Sequence, residues 1–147
     1  EPRHAAAYET RGRARNAQGQ YEQAIQDYDE AIRLDSRIIE ALAYCTRGQA
    51  RYSLGDYEQA IEDYDEAIRL MPGVAPQFLS QPYYHRGQAH NAQGQYEQAL
   101  QDFDEAIRLD PTYPSNRLAY NNRGRAHQSL GNSKEAERDL QKAEELG

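Results

Sequence analysis

Tryptophan is missing from this sequence, and cysteine and methionine occur once each. A lone cysteine, Cys45, excludes an internal disulfide framework; it is compatible with the cytosol and excludes no compartment. No apolar run approaches the roughly 20 residues of a membrane-spanning helix. No signal peptide is visible, and a first residue of Glu1 in place of Met fits a processed chain or an excised segment. Basic charge is also short, with 17 Lys and Arg against 24 Asp and Glu and a net charge of -7. Non-specific nucleic-acid binding, which needs a strongly basic face, is therefore not expected. Phosphate loops, nucleophile motifs and zinc spacings are missing as well. His4, His85, His90 and His127 have no Glu or Cys at ligand spacing, so no enzyme activity, metal or cofactor is expected.

Hydrophobic residues make up 38% of the chain and the mean hydropathy is -1.06. Such polarity suits an elongated stack, in which each unit touches only its neighbours. The periodicity supports that reading. The segment 21–34, Tyr-Glu-Gln-Ala-Ile-Gln-Asp-Tyr-Asp-Glu-Ala-Ile-Arg-Leu, recurs at 57–70 and 96–109, and more loosely at 133–146. Ala24, Ile25, Tyr28, Ala31 and Ile32 fall on one helical face. Each copy is preceded by a second motif: Tyr8-Glu-Thr-Arg-Gly-Arg-Ala, Tyr44-Cys-Thr-Arg-Gly-Gln-Ala, Tyr84-His-Arg-Gly-Gln-Ala or Tyr120-Asn-Asn-Arg-Gly-Arg-Ala.

Two sets of glycines punctuate the pattern. Gly19, Gly55, Gly94 and Gly131 sit in short polar turns and suit the left-handed end of a helix. Gly12, Gly48, Gly87 and Gly124 lie inside helices, where glycine costs about 1 kcal/mol relative to alanine. Their repetition predicts close approach of the two helices of each pair, near Ala24, Ala60, Ala99 and Ala136. The unit is helix, tight turn, helix, and the in-helix glycines recur after 36, 39 and 37 residues.

This unit, the Gly-x-Tyr-x-x-Ala turn and the Ala-Ile-Arg-Leu-Asp-Pro that closes the third copy resemble the tetratricopeptide repeat. The resemblance covers essentially the whole chain. It implies one all-α domain over 1–147, a right-handed solenoid of eight helices in four repeats, at about 5–36, 37–75, 76–112 and 113–147. The chain departs from the family in two respects. Its period exceeds the usual 34 residues, and arginine precedes each helical glycine where the family more often has an apolar residue. The extra residues fall around 36–40, 71–80 and 112–116; Ser36 is a candidate cap, and Pro72, Gly73, Pro76 and Pro82 make the second connection the least regular. Glu137 and Glu144 stand where earlier repeats place Ile25 and Ile32, so the fourth repeat is expected to serve as its own cap, with little sign of truncation through a longer array.

Arg11, Arg47, Arg86 and Arg123 each precede by 16 residues an aspartate of the second helix: Asp27, Asp63, Asp102 or Asp139. That placement predicts partly exposed ion pairs between helices, worth about 0.5–1 kcal/mol each. Asp27 with Asp29, and Asp63 with Asp65, are expected on solvated faces. His90 and His127, which replace Arg15 and Arg51, read as packing or surface residues. The expected first helices sum to +8 and the second helices to -12. In the family the first helices line a concave surface, so the resemblance implies a groove more positive than the back, suited to an acidic ligand.

By the same resemblance the groove residues are Glu9, Arg13 and Asn16; Cys45, Gln49 and Tyr52; Tyr84, Gln88 and Asn91; and Asn121, Arg125 and Gln128. Amides both donate and accept hydrogen bonds, which suits a peptide backbone, and tyrosines add rigid contact area. Family members that bind chaperone tails hold the terminal carboxylates with two Lys, two Asn and an Arg. The matching positions here carry Glu9, Arg13, Thr46, Gln81 and His85, or, one repeat along, Cys45, Gln49, His85, Leu118 and Asn122. A chaperone-tail receptor is therefore not expected. The expected function is a protein-interaction scaffold that holds a protein, peptide or partner helix, without nucleic acid or membrane. The alternative is a self-assembling, homo-oligomeric or consensus-engineered repeat with no dedicated ligand.

Overall fold

Helix-period apolar residues bounded by glycine turns dictate helical hairpins, and the chain forms them. The computed structural model describes residues 2–34, 37–71, 75–111 and 116–146, and all regular structure among these is α-helical. The helices are α1 (Pro2–Ala17), α2 (Tyr21–Arg33), α3 (Arg37–Leu54), α4 (Tyr57–Leu70), α5 (Pro76–Ala92), α6 (Tyr96–Leu109), α7 (Asn116–Ser129) and α8 (Ser133–Glu145). Their bounds lie close to those predicted, although α1 begins earlier, at Pro2. Ser36, the candidate cap, lies outside the described residues, as do 72–74 and 112–115 of the longer connections.

Contacts gather into two compact units, Glu1–Gly73 and Val74–Gly147. In the first, α1 packs on α2, α3 packs on α4, and both α1 and α2 touch α3. In the second, α5 packs on α6, α7 packs on α8, and both α5 and α6 touch α7. Each unit is thus two hairpins side by side with their first helices in contact.

Turn chemistry fixes each hairpin. Gly19 has φ 74° and Gly55 has φ 87°, and nothing crowds the space where their Cβ would sit. Backbone conformation, not room, demands glycine there. The amide of the next residue closes each first helix: Gln20 N–H donates to the Arg15 carbonyl at 2.9 Å and Asp56 N–H to the Arg51 carbonyl at 2.9 Å. This is the six-residue closure that ends a helix at a left-handed residue.

The helical glycines answer a different need. A Cβ on Gly12 would stand 2.5 Å from the Tyr28 ring, and one on Gly48 2.8 Å from the Tyr64 ring. In the third repeat Gly87 meets Phe103, and in the fourth Gly124 meets Leu140 and the Ala136 carbonyl. Close approach is confirmed, but in the first three repeats its cause is the buried aromatic, not the alanine four residues before it. Tyr28, Tyr64 and Phe103 are the largest wholly buried apolar side chains. Around them Ala24 and Ala50 pack with Ile25 in the first unit, and Ala99, Ala106 and Ala119 pack with Ile107 in the second. Pro82 lies inside α5 and is buried, not in the irregular connection. It removes the amide that would bond the Phe78 carbonyl.

The aspartates at the hairpin interface are buried as well. Asp27 and Asp63 are each 2% exposed, whereas Asp29 and Asp65 are exposed. The solvated face expected for all four therefore holds only for the second of each pair. Arg11 donates to Asp27 through Nε at 3.0 Å and Nη2 at 2.6 Å, and Arg15 adds Nη1 at 2.8 Å. Arg47 binds Asp63 likewise, at 3.0 and 2.6 Å, with Arg51 at 2.9 Å. Arg86 grips Asp102 and Arg123 grips Asp139, each with an Nη2 contact of 2.6 Å. Arg11, Arg47, Arg86 and Arg123 also lie over a tyrosine ring, Tyr8, Tyr44, Tyr83 and Tyr120 respectively, at 5.0 or 5.1 Å from the centroid. Arg47 reaches across to Asp29 of the preceding repeat and Arg123 to Asp104, both at 2.5 Å.

Burial sets the energetic scale. Removing one partner of a buried pair costs about 3–5 kcal/mol, against about 0–1 kcal/mol for an exposed pair. We expect Asp63→Ala to lower unfolding free energy by about 3–5 kcal/mol and Glu66→Ala, on the exposed Glu66–Arg69 pair, by less than about 1 kcal/mol. In the same urea titrations Gly12→Ala should lose about 1–2 kcal/mol, because the clash outweighs the helix-propensity gain. Gly124→Ala, whose Cβ would meet Leu140 at 3.1 Å, should be close to neutral. Equal losses at the two glycines would contradict the aromatic-contact account.

Candidate functional site

The first helices carry the residues that the spacing selects, and the packing decides which reach the surface. In the first unit a hollow of about 400 Å³ lies along α1 and α3, lined by Thr10, Arg13, Ala14, Asn16, Ala17, Thr46 and Gln49. Arg13, Asn16 and Gln49 are thus brought together. Arg13 is exposed; its nearest carboxylate is Glu9, with Nε 3.8 Å from Oε1. Glu9 itself is only 9% exposed. Burial raises its carboxyl above the usual range, against the opposing pull of Arg13.

Other selected residues support the wall from within. Cys45 is buried, which pushes its thiol up to about 12 and leaves it unreactive. Tyr84 joins the core with Ala99, Phe103, Ala106 and Ala119, its ring 6.0 Å from that of Phe103. Asn122 Nδ2 donates to its hydroxyl at 3.1 Å. Tyr84 is therefore mainly a core residue, because the aromatic of α5 that turns outward over arginine is Tyr83. Tyr52 is half-buried and tilts against Tyr57 at 5.2 Å. Gln88 shares a 3.1 Å hydrogen bond with His85 Nδ1, and burial lowers the basicity of that imidazole. Asn16 and Asn91 hold equivalent places, and the Oδ1 of each is buried without a hydrogen-bond partner among the described residues. Asn121 is half-buried, while Arg125 and Gln128 are exposed.

His90 behaves as its alignment with arginine suggests. His90 Nε2 stands 3.6 Å from Asp102, where Arg15 and Arg51 meet their aspartates. A larger hollow of about 570 Å³ lies on α7 and α8, lined by Gln128, Ser133, Ala136, Glu137, Leu140, Gln141 and Glu144. It corresponds to the face on which Ile25 packs toward Ala50 in the first unit. A stacking face gives it its shape, and it has no converging basic groups.

Spacing missed several exposed apolar residues on the first helices. Leu42 on α3 and Leu118 on α7 are 46% and 51% exposed, and Phe78 on α5 is 62% exposed. Leu42 and Leu118 lie one turn before Cys45 and Asn121, so extending each stripe by three residues would have found them.

Glu9 yields a pH signature. A carboxyl with a raised folded-state pKa binds more protons in the native than in the unfolded chain across the intervening pH window, so stability falls as pH rises through it. We expect Glu9→Gln to be more stable than the parent at neutral pH and the difference to vanish below about pH 4. Urea titrations across pH test this; a constant difference would contradict it.

Profiles described as tetratricopeptide repeat match residues 41–73, 80–113 and 118–146, and one described as TPR repeat matches 12–45. Nothing among curated protein sequences matches the chain. Among solved structures, the crystal structure of MamA is 23% identical over 99% of this chain and 80% of its own, with a TM-score of 0.84, a likeness of fold. The second TPR domain of human RPAP3 in complex with the HSP70 peptide SGPTIEEVD is 28% identical, covering 86% and 98%, with a TM-score of 0.74. The second TPR of Spaghetti (RPAP3) bound to the HSP90 peptide SRMEEVD is 30% identical, covering 73% and 92%, with a TM-score of 0.64. With four hairpins in phase and family profiles spanning nearly all of them, this chain belongs to the tetratricopeptide repeat family.

Proposed function

We propose that the chain is a protein-interaction module whose first helices hold a peptide or partner helix, with acidic segments preferred. The observation that carries this reading is the hollow along α1 and α3, where Arg13, Asn16 and Gln49 meet. Each can donate hydrogen bonds to a peptide backbone or carboxylate. Similar domains hold peptides ending in Glu-Glu-Val-Asp. Here the positions that would clamp such a tail carry Glu9, Arg13, Thr46, Gln81 and His85, so the reading is recognition along the segment, not capture of its last carboxylate. The hairpins are held by buried pairs, and a preformed wall lowers the ordering cost of binding.

Titration with acidic and basic peptide pools at two salt concentrations tests the proposal. Acidic pools should bind more tightly, the advantage should shrink with salt, and Arg13→Ala with Arg125→Ala should remove most of it. Equal binding of both pools would remove the electrostatic argument. Concentration-dependent oligomers in light scattering, with no peptide bound, would favour self-assembly instead.

A further inference from the structure

The stripe that seats one hairpin on another inside each unit recurs on an exposed face. In the first unit Ala24 and Tyr28, with Tyr21 and Ile25 beside them, pack with Ala50 of α3. Ala43 and Ala50 are buried, and between them Arg47 reaches Asp29 at 2.5 Å. In the second unit Ala119 and Ala126 are likewise buried, and between them Arg123 reaches Asp104 at 2.5 Å. The stacking stripe is thus Ala, Arg and Ala at i, i+4 and i+7 of a first helix, which is one helical face.

Helix α1 carries the same stripe as Ala7, Arg11 and Ala14, and there it lies in water. Both alanines are exposed. The Arg11 side chain is 54% exposed, against 14% for Arg47 and 20% for Arg123. Asp27 engages its Nε and Nη2, and no carboxylate of a second hairpin meets it among the described residues.

The complementary half is the hollow of about 570 Å³ on α7 and α8. Along the repeat, its lining residues Ser133, Ala136, Glu137 and Leu140 take the places of Tyr21, Ala24, Ile25 and Tyr28. Those are the residues that pack with Ala50, so the hollow has the form of a seat for a first helix. Its chemistry differs. Gln141 takes the place of Asp29, and Glu137 and Glu144 flank it where α2 has Ile25 and Ile32. A wholly apolar helix would bury two unpaired carboxylates there, whereas one bearing a partly free arginine matches them.

We infer that α1 of a second copy occupies the hollow on α7 and α8, so that copies join head to tail. Ala7 and Ala14 then lie against α8, and Arg11 turns Nη1, which Asp27 does not engage, toward Glu137, Gln141 and Glu144. Two different faces meet, so the contact is heterologous and leaves one face of each kind for a further copy. Charges stand where the internal contacts have isoleucine, so this association is salt-sensitive. The inference does not rest on the groove reading, which peptide titration of the same samples tests separately.

Sedimentation velocity of the unaltered chain across concentration tests it. The mean sedimentation coefficient should rise with concentration. The apparent dissociation constant should rise about tenfold between about 0.1 M and 1 M salt, as the screening length falls from about 10 to 3 Å. Ala7→Glu should abolish association, and so should Glu137→Lys with Glu144→Lys; all three sites are exposed. Each variant keeps one intact face, so either one in excess should shorten assemblies of the unaltered chain. A monomer up to about 1 mM, or association that either variant retains, would overturn the inference and leave the two faces to other partners. Concentration and salt dependence are read on the unaltered protein, so a variant that misfolds does not decide the result.

Discussion

A carboxylate buried between two helices, gripped by an arginine sixteen residues earlier, underlies each repeat. Asp27, Asp63, Asp102 and Asp139 are all buried, and such a charge is tolerated only when its lone pairs are filled. The guanidinium does this in fork geometry, and its flat face rests on a tyrosine. The fork ties the first helix of each hairpin to the second, across the interface where, in the first three repeats, glycine meets an aromatic ring. Where Arg47 and Arg123 also reach the preceding repeat, the same group sets the stacking of one hairpin on the next.

This arrangement decides what the first helices can show to a partner. Arginines at the interface are used up by aspartates of the second helices, and the charge that remains on the wall is carried by Arg13, Arg117 and Arg125. Segregation by helix thus leaves few exposed cations among the amides of the first helices, not a uniformly basic surface. The acidic backs of α2, α4 and α6 keep their exposed arginines in local pairs, such as Arg33 with Glu30 and Arg69 with Glu66. Those pairs are solvated and contribute little to stability.

Much of this was legible in the sequence because it repeats. The 16-residue interval between arginine and aspartate was visible four times over, as were the left-handed glycines of the turns. Burial of Asp27 and Asp63 was not legible, because an aspartate beside apolar positions reads as solvated until its partner's geometry is known. The role of Gly12 was assigned to the wrong neighbour for a similar reason. Glycine signals closeness, but only packing says that the Tyr28 ring fills the space. Tyr83 and Tyr84 differ by one position, about a quarter-turn of helix, and spacing alone assigned the buried one to the wall. Leu118 lay beyond the stripe because helix ends are the least certain part of a periodic pattern.

The central claim is that buried arginine–aspartate pairs build the hairpins and leave the exposed side chains of the first helices for the proposed peptide. Amide hydrogen exchange of the intact protein, with and without an acidic peptide at saturation, tests this most directly. The account predicts added protection confined to the first helices α1, α3, α5 and α7. Protection concentrated on α2, α4, α6 and α8 would contradict it.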